Sequence, residues 1–228
     1  MKRNTLLLFI CLFTAASCNR GQVLRISGYV DNPAFEGSKA YIVGSSIRED
    51  SAVIRNSSFT FTVPADSMAV KSIVIPPKGE HGIQDLIFIG EPGTLEVSMS
   101  VKSHSSGTRL NTLLMKWQQE NFLYDSIQND LYYRSGIPGI THERYDSIMK
   151  LSAQIDSSYI WRNIEIMNQN LENGIGLFFF KFYYEHLPKE VKVSVLEKAG
   201  GLFLKADKQV LSRVMFDPEI PKENLLAK

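Results

Sequence analysis

Cysteine is almost absent from this sequence. The 228 residues include two, Cys11 and Cys18, so no thiol occurs after residue 18. Disulfide bonds, cysteine-ligated metals and thiol redox chemistry are therefore excluded for residues 19–228. Surplus positive charge is absent too, because 25 Lys and Arg stand against 24 Asp and Glu, a net charge of +1. We therefore expect no nucleic-acid partner, since binding to phosphates depends on a cationic surface.

The sequence also lacks a recognisable catalytic constellation. Its four histidines lie at least 23 residues apart, and none has the close spacing of zinc ligands on a helix (His81, His104, His142 and His186). The segment Gly174-Ile175-Gly176 begins like a dinucleotide-binding fingerprint, but Phe179 stands at the third glycine position. We therefore interpret it as a helix boundary, and we expect no catalytic activity, cofactor or metal site.

The N-terminus carries an apolar run that is too short to span a membrane. Leu6–Ala16 is eleven residues long, about half of the roughly 20 that a spanning helix needs. Lys2 and Arg3 precede it, which gives the positively charged start of a secretory signal. Residues 1–17 are therefore predicted to be a signal peptide.

Ala15-Ala16-Ser17-Cys18 follows this run directly. These residues resemble the lipobox of bacterial lipoproteins, although Ala15 stands where leucine is commonest. The resemblance implies cleavage between Ser17 and Cys18, and fatty-acyl chains such as palmitate on Cys18 as the first mature residue. The alternative is an ordinary signal peptide with an A-x-A-like cleavage site, which would leave a secreted protein without a lipid anchor.

Residues 18–22 form a short lipidated tether in this interpretation. Five extended residues span at most about 17 Å, so the folded part would lie close to the membrane. The residues after Cys18, Asn19-Arg20-Gly21-Gln22, lack the Asp that resembles an inner-membrane retention signal and the acidic cluster that resembles a surface-export signal. The expected location is therefore the cell envelope, on the outer membrane facing the periplasm.

Residues 23–106 show the two-residue apolar period of short strands. The alternation is clear at Leu24–Val30, Ser58–Val63 and Leu95–Ser100, and it predicts antiparallel strands with one exposed face. Asn56-Ser57 lies between residues 53–55 and the strand at Phe59, and it predicts a tight hairpin, because asparagine tolerates positive φ. About seven strands predict a small β-sandwich.

Residues 107–228 show the longer apolar period of helices. The spacing predicts helices over 109–135 and 141–171, with Thr141 as an N-cap, and shorter ones around 175–186, 188–199 and 206–215. The fold class is therefore α+β, a small antiparallel β-sandwich followed by an α-helical subdomain. The long helices could present a partner-binding face or pack within the protein. The aromatic run Phe178–Tyr184 favours a buried helix over a ligand platform.

Several segments carry a resemblance to a known family: Ile26–Val30, Phe59–Phe61, Phe88–Gly93, Gly107–Asn111 and Asn173–Leu177. They resemble domain of unknown function 4369, over residues 23 to about 215. That domain stands at the front of thioredoxin-like thiol–disulfide oxidoreductases in lipoproteins of gram-negative bacteria. This chain reaches Lys228 without a thioredoxin-like domain or a Cys-x-x-Cys pair. We therefore expect a non-catalytic binding or scaffold module. The alternative is an accessory subunit to a separately encoded thioredoxin-like protein.

A short Asp-Ser-apolar pattern recurs four times (Asp50-Ser51-Ala52, Asp66-Ser67-Met68, Asp125-Ser126-Ile127, Asp146-Ser147-Ile148). It resembles an O-glycosylation motif that some gram-negative bacteria use on exported proteins. The alternative is capping of turns and helices by Asp and Ser. If the motif is used, Ser51 and Ser67 are the expected acceptors, because we predict that they lie in loops.

Overall fold

A computed structural model describes residues 22–44 and 47–221 of the chain. The predicted signal peptide, with Ser17 and Cys18, lies outside these residues. Among the described residues, no helix is both long enough and apolar enough to cross a bilayer.

The first part of the structure is built from eight strands: β1 (Val23–Val30), β2 (Lys39–Gly44), β3 (Ile47–Val53), β4 (Ser58–Pro64), β5 (Asp66–Ile75), β6 (Gln84–Gly90), β7 (Gly93–Met99) and β8 (His104–Ser106). They form two four-stranded sheets. Sheet A has the order β4-β1-β7-β8, and sheet B has the order β3-β2-β5-β6. The predicted β-sandwich is therefore confirmed.

One strand pair differs from the antiparallel expectation. β1 and β7 run parallel, in a register from Leu24 beside Gly93 to Val30 beside Met99. All the other strand pairs are antiparallel. Period-two alternation reports only which face of a strand is buried, so it could not distinguish the direction of a partner about 70 residues away.

The tight turn of the predicted hairpin at Asn56-Ser57 is confirmed, but the pairing of its two strands in one sheet is not. Both residues have positive φ, at 50° and 58°, and Arg55 pairs with Ser58 across them. The Glu36 carboxylate accepts hydrogen bonds from both turn amides, at 3.0 Å and 3.1 Å. The turn does not close a hairpin within one sheet, because β3 belongs to sheet B and β4 to sheet A. It carries the chain from one layer of the sandwich to the other.

Five helices follow the strands: α1 (Arg109–Ser135), α2 (His142–Asn168), α3 (Gly174–Tyr183), α4 (Lys189–Ala206) and α5 (Lys208–Phe216). The predicted bounds of α1 are confirmed. Thr141 caps α2 as expected, and its hydroxyl accepts a hydrogen bond from Arg144 N at 3.3 Å. α2 ends three residues earlier than predicted, because Asn173 serves as the N-cap of α3 and accepts from Ile175 N at 3.0 Å.

Two apolar clusters hold the fold together. The sandwich core consists of inward-facing strand residues such as Leu24, Ile42 and Phe88, to which α1 adds Met115. The helical core surrounds Phe180 and packs on the outer face of sheet B, which contributes Ile89. Each such side chain stabilises the fold by roughly 1.5–3 kcal/mol through burial.

The aromatic run is mostly part of the helical core, as predicted. Phe178, Phe179, Phe180, Tyr183 and Tyr184 are buried. Phe182 is the exception, since 56% of its surface is exposed although its ring contacts Trp117 and Phe178. The helix boundary that we inferred at Gly174 is also confirmed, because α3 begins there.

Candidate functional site

The outer parts of α1 and α2 extend beyond the body of the protein. We call residues 118–160, which comprise these parts and the loop between them, the arm. Of its residues, all of which the structure describes, Leu131 alone is buried. The buried residues of α2 lie near its C-terminal end, at Asn163, Ile164 and Met167. Each helix has 27 residues and is therefore about 40 Å long.

A polar seam joins the two helices of the arm. The rings of Tyr124 and Tyr159 stack with centroids 4.0 Å apart. The Tyr124 hydroxyl donates to Asp156 Oδ1 at 2.6 Å, and the Tyr159 hydroxyl donates to Asn121 Oδ1 at 2.7 Å. Burial raises the pKa of Tyr124, and the bond to Asp156 raises it further. The phenol therefore stays protonated and keeps its role as donor.

One face of the arm forms an apolar groove. Its volume is about 790 Å³, and Leu123, Ile127 and Ile155 line it together with the stacked tyrosines. Leu123 is 63% exposed and Ile127 is 39% exposed. An ion pair between Arg162 and Glu120, at 2.7 Å, stands at the end nearer the body. Exposed apolar groups in one continuous groove are typical of a surface that binds a partner.

The tip of the arm is also apolar and exposed. Tyr132 and Tyr133 are 75% and 74% exposed, and Ile137 in the connecting loop is 50% exposed. Loop tips are usually polar, because they face water. The exposed apolar surface of the arm therefore extends from the groove to the tip.

Helix α1, which leads into the arm, starts at the same end of the sandwich as the N-terminus of the described chain. Gln22 O accepts a hydrogen bond from Ala65 N at 2.9 Å, which fixes the entry to β1. Leu24 lies beside Gly93 at this end. α1 begins here as well, because the Glu91 carboxylate accepts hydrogen bonds from Leu110 N and Asn111 N. A carboxylate at this position also interacts favourably with the helix dipole.

α1 then runs along the sandwich to the opposite end. Lys102, which follows β7, lies over the ring of Phe122 with Nζ 5.6 Å from the centroid. Phe122 is therefore near the far ends of β1 and β7, where Val30 pairs with Met99. The rest of α1 continues beyond this point, so the tip of the arm points away from Gln22.

Residues 24–114 match the family model described as domain of unknown function (DUF4369). This part of the chain is a DUF4369 domain. No curated protein and no solved structure matches the chain. The match includes the sandwich and the first six residues of α1, and it ends before the arm. It confirms the resemblance over the β-sandwich, whereas the resemblance over the later helices stays a prediction.

The motif residues of the DUF4369 domain meet at the joint between the sandwich and α1. Glu91 caps α1, and Asn111 forms hydrogen bonds with both backbone groups of Ile89. Gly107 has a φ of 116°, and a Cβ there would lie 2.4 Å from Thr94 O. These residues therefore have structural roles, and the predicted boundary between residues 106 and 107 lies within this joint.

The two expected glycosylation sites do not lie in loops, so that part of the prediction was wrong. Ser51 is exposed in β3, where it pairs with Tyr41 of β2. Ser67 is half-buried in β5. In both places the preceding aspartate caps a nearby amide: Asp50 accepts from Ser51 N at 2.7 Å, and Asp66 accepts from Met68 N at 2.9 Å. β3 was not recognised as a strand because it is an edge strand and most of its described side chains are exposed.

The expected absence of a metal site can be compared only with the part of the chain that the structure describes. There, no three His, Cys, Asp or Glu residues are placed to hold a metal ion. His81 is hydrogen-bonded to Asn32 at 3.1 Å, His104 lies in β8, His142 begins α2 and His186 lies in a 3-10 turn. The sequence left open whether the two long helices present a partner-binding face or pack within the protein, and it did not locate the groove, because the apolar stripe of α1 gives no sign of where its packing partner ends.

Proposed function

We propose that this protein is a lipid-anchored scaffold of a bacterial cell envelope, which holds a partner protein on its arm. The observation that carries the proposal is that the described chain begins at one end of the sandwich, whereas the arm projects from the other end. The described chain enters β1 at Gln22, four residues after the lipobox-like Cys18.

The anchor in this proposal is a set of fatty-acyl chains, such as palmitate, on Cys18 after cleavage behind Ser17. Each buried methylene group contributes about 0.8 kcal/mol, so two or three chains hold a protein on a membrane durably. The outer membrane, facing the periplasm, is the proposed location. The mature chain would then present its arm about 40 Å from the anchored end.

The proposed role is non-catalytic, and the partner is a protein rather than a nucleic acid. Removing residues 1–17 leaves 25 − 2 = 23 basic residues against 24 acidic ones, so long-range electrostatic attraction to phosphates is absent. The apolar groove instead suits the apolar face of a helix or strand of a partner. A separately encoded thioredoxin-like protein is the specific partner that the accessory alternative requires.

Photo-crosslinking in living cells tests this proposal. A photoreactive amino acid at Leu123 should capture one protein in near-stoichiometric yield. The matched control is Ile83, which is also aliphatic and is 61% exposed against 63% for Leu123, but lies between β5 and β6. Capture at Leu123 and not at Ile83 supports the proposal, and equal capture or none at Leu123 contradicts it.

The same experiment with Cys18→Ala tests the anchor. We expect the captured protein to be lost or much reduced, because the unanchored chain no longer lies beside its partner. The identity of the captured protein separates the two forms of the proposal: a thioredoxin-like protein favours the accessory subunit, and any other envelope protein favours the general scaffold.

A further inference from the structure

A second concave site lies between the sandwich and the C-terminal helices, separate from the arm. It is formed where α3 and α5 pass over the outer face of sheet B, and its volume is about 440 Å³. That volume is within the range of small-molecule sites, roughly 300–1,000 Å³. Its wall is apolar, with Val70 and Ile87 from the sheet and Phe178 and Phe182 from α3.

Two cationic side chains and one carboxylate stand at one end of this cavity. Lys181 Nζ lies 2.8 Å from Asp207 Oδ2. The other oxygen of Asp207 caps α5 and accepts from Gln209 N at 2.7 Å. Burial alone would raise the pKa of Asp207, but Lys181 and the α5 amides outweigh burial and lower it. Asp207 is therefore ionised, and both of its oxygens are occupied.

Arg213 supplies the positive charge that is not neutralised. Its Nη1 donates to Lys181 O at 2.8 Å, at the end of α3. Within the described part of the chain, no carboxylate forms an ion pair with it. The lining thus carries one net positive charge, on a guanidinium whose remaining N–H groups can bind a carboxylate in a bidentate manner.

We propose that this cavity binds a small amphipathic molecule with an apolar body and a single carboxylate. The carboxylate would bind Arg213, and the apolar body would lie along Ile87, Phe178 and Phe182. Charge complementarity favours one negative charge, because a dianion such as phosphate would leave a charge without a partner. The hydroxyl of Ser72 and the amide of Gln209 also line the cavity, and they form no side-chain hydrogen bond with any described residue, so they could complete the polar contacts.

Four small probe molecules, which separate the effect of the charge from that of the apolar chain, test this inference. Octanoate, octan-1-ol and octylammonium have the same chain and differ in charge, and acetate has the charge without the chain. Each is titrated into the mature chain carrying Cys18→Ala, with binding followed by ¹H–¹⁵N NMR. We expect saturable octanoate binding that shifts the amide signals of Ser72 and Gln209, at least tenfold weaker octanol binding, and no binding of octylammonium or acetate.

Variants at the cationic end complete the test. Arg213→Gln should weaken octanoate binding about tenfold and leave octanol binding unchanged. Gln209→Glu should also weaken octanoate binding, because it adds a negative charge to the cavity. Arg25→Gln is the control, since Arg25 is an exposed strand residue outside the cavity, and it should change neither affinity. Equal affinity for octanoate and octanol, octanoate shifts confined to the arm, or unchanged octanoate binding by both site variants would overturn the proposal. Because the site variants leave the residues of the arm unchanged, the test is independent of the scaffold proposal.

Discussion

Asn111 binds both backbone groups of Ile89. Its Oδ1 accepts from Ile89 N at 2.8 Å, and its Nδ2 donates to Ile89 O at 2.9 Å. The side-chain amide thereby takes the place of a further strand beside β6, which is the edge of sheet B. Asn111 is fully buried, so water cannot substitute for it. This contact joins α1 to the sandwich and sets the direction in which the arm leaves the body.

Replacing this residue tests its role as the joint. Asn111→Ala should lower the free energy of unfolding by about 3 kcal/mol, because two buried backbone groups lose their partners. Urea denaturation measures the change. Asn129→Ala is the matched control, since Asn129 is exposed on the same helix, and it should change stability by less than about 0.5 kcal/mol. Equal effects of the two substitutions would contradict the role of Asn111.

Two helical glycines should respond in opposite directions to alanine. A Cβ at Gly176 would lie 2.3 Å from Asn170 O, a backbone atom that cannot move away easily. Gly176→Ala should therefore destabilise the protein by about 2 kcal/mol. Gly201, within α4, has no atom within 4 Å of a Cβ. Gly201→Ala should stabilise the protein by about 0.5–1 kcal/mol, and thermal melts would show whether the two shifts differ in sign.

A buried ion pair fixes the segment after α5. Lys192 Nζ lies 3.1 Å from Asp217 Oδ2, and the Tyr184 hydroxyl donates to the same oxygen at 2.9 Å. Asp217→Asn should destabilise the protein by about 3 kcal/mol at pH 7, because it leaves a buried ammonium without a counter-charge. Asp130→Asn is the control, as Asp130 forms an exposed pair with Arg134 at 2.7 Å, and its effect should be below about 1 kcal/mol.

The same pair predicts a pH dependence. Burial tends to raise the pKa of Asp217, but bonds from Glu219 N, Tyr184 and Lys192 outweigh it, so the folded-state pKa is lowered. Because the folded-state pKa is lowered, ionised Asp217 contributes its full stabilisation at pH values above about 3.9, the pKa of an aspartate in the unfolded chain. That stabilisation is lost as the pH falls below this value through the folded-state pKa. Urea titrations at pH 7, 4 and 3 should show that Asp217→Asn loses less stability with falling pH than the unaltered protein does. If stability falls with pH equally in both proteins, this assignment is refuted.

Substitutions on the arm should separate binding from folding. Leu123→Lys with Ile127→Lys changes two exposed side chains, so stability should change by less than about 1 kcal/mol. Capture of the partner by a photoreactive residue at Tyr133 should nevertheless be abolished, because the groove becomes cationic. Val101→Lys, at a side chain that is 99% exposed, should leave capture intact. Retained capture in the double variant would show that the groove is not the docking surface.

The helices could be predicted because their signals are local. Leu110, Leu114 and Trp117 recur at helical spacing and are buried, and Thr141 is a capping residue with visible side-chain chemistry. The same stripe continues through Ile127, which is exposed. A hydrophobic period records which face of a helix is apolar, and it does not record how far a packing partner extends. The sequence therefore offered a binding face on the long helices only as an alternative, and the position of the groove required the tertiary structure.

The pairing of the strands was the other feature that the sequence could not predict. Leu24 and Gly93 are neighbours although 69 positions separate them in the chain (93 − 24 = 69), and nothing in either segment specifies a parallel partner. The edge strand β3 escaped recognition because Arg48, Glu49 and Asp50 expose both of its faces. The cavity beside Arg213 depends on α3, α5 and sheet B together, so it too required the tertiary structure.

The orientation of the arm on a membrane tests the scaffold account most directly. In the proposed mature chain, Cys18 is the one cysteine, and its thiol would carry the lipid. A single donor dye can therefore be attached through Tyr133→Cys or Thr62→Cys. Each labelled protein is then placed in nanodiscs whose lipid headgroups carry the acceptor. Thr62 lies beside Arg25 near the tethered end. The account predicts efficient energy transfer from position 62 and little from position 133, whose helix extends about 40 Å away. Efficient transfer from position 133, or no association of either labelled protein with the nanodisc, would contradict it.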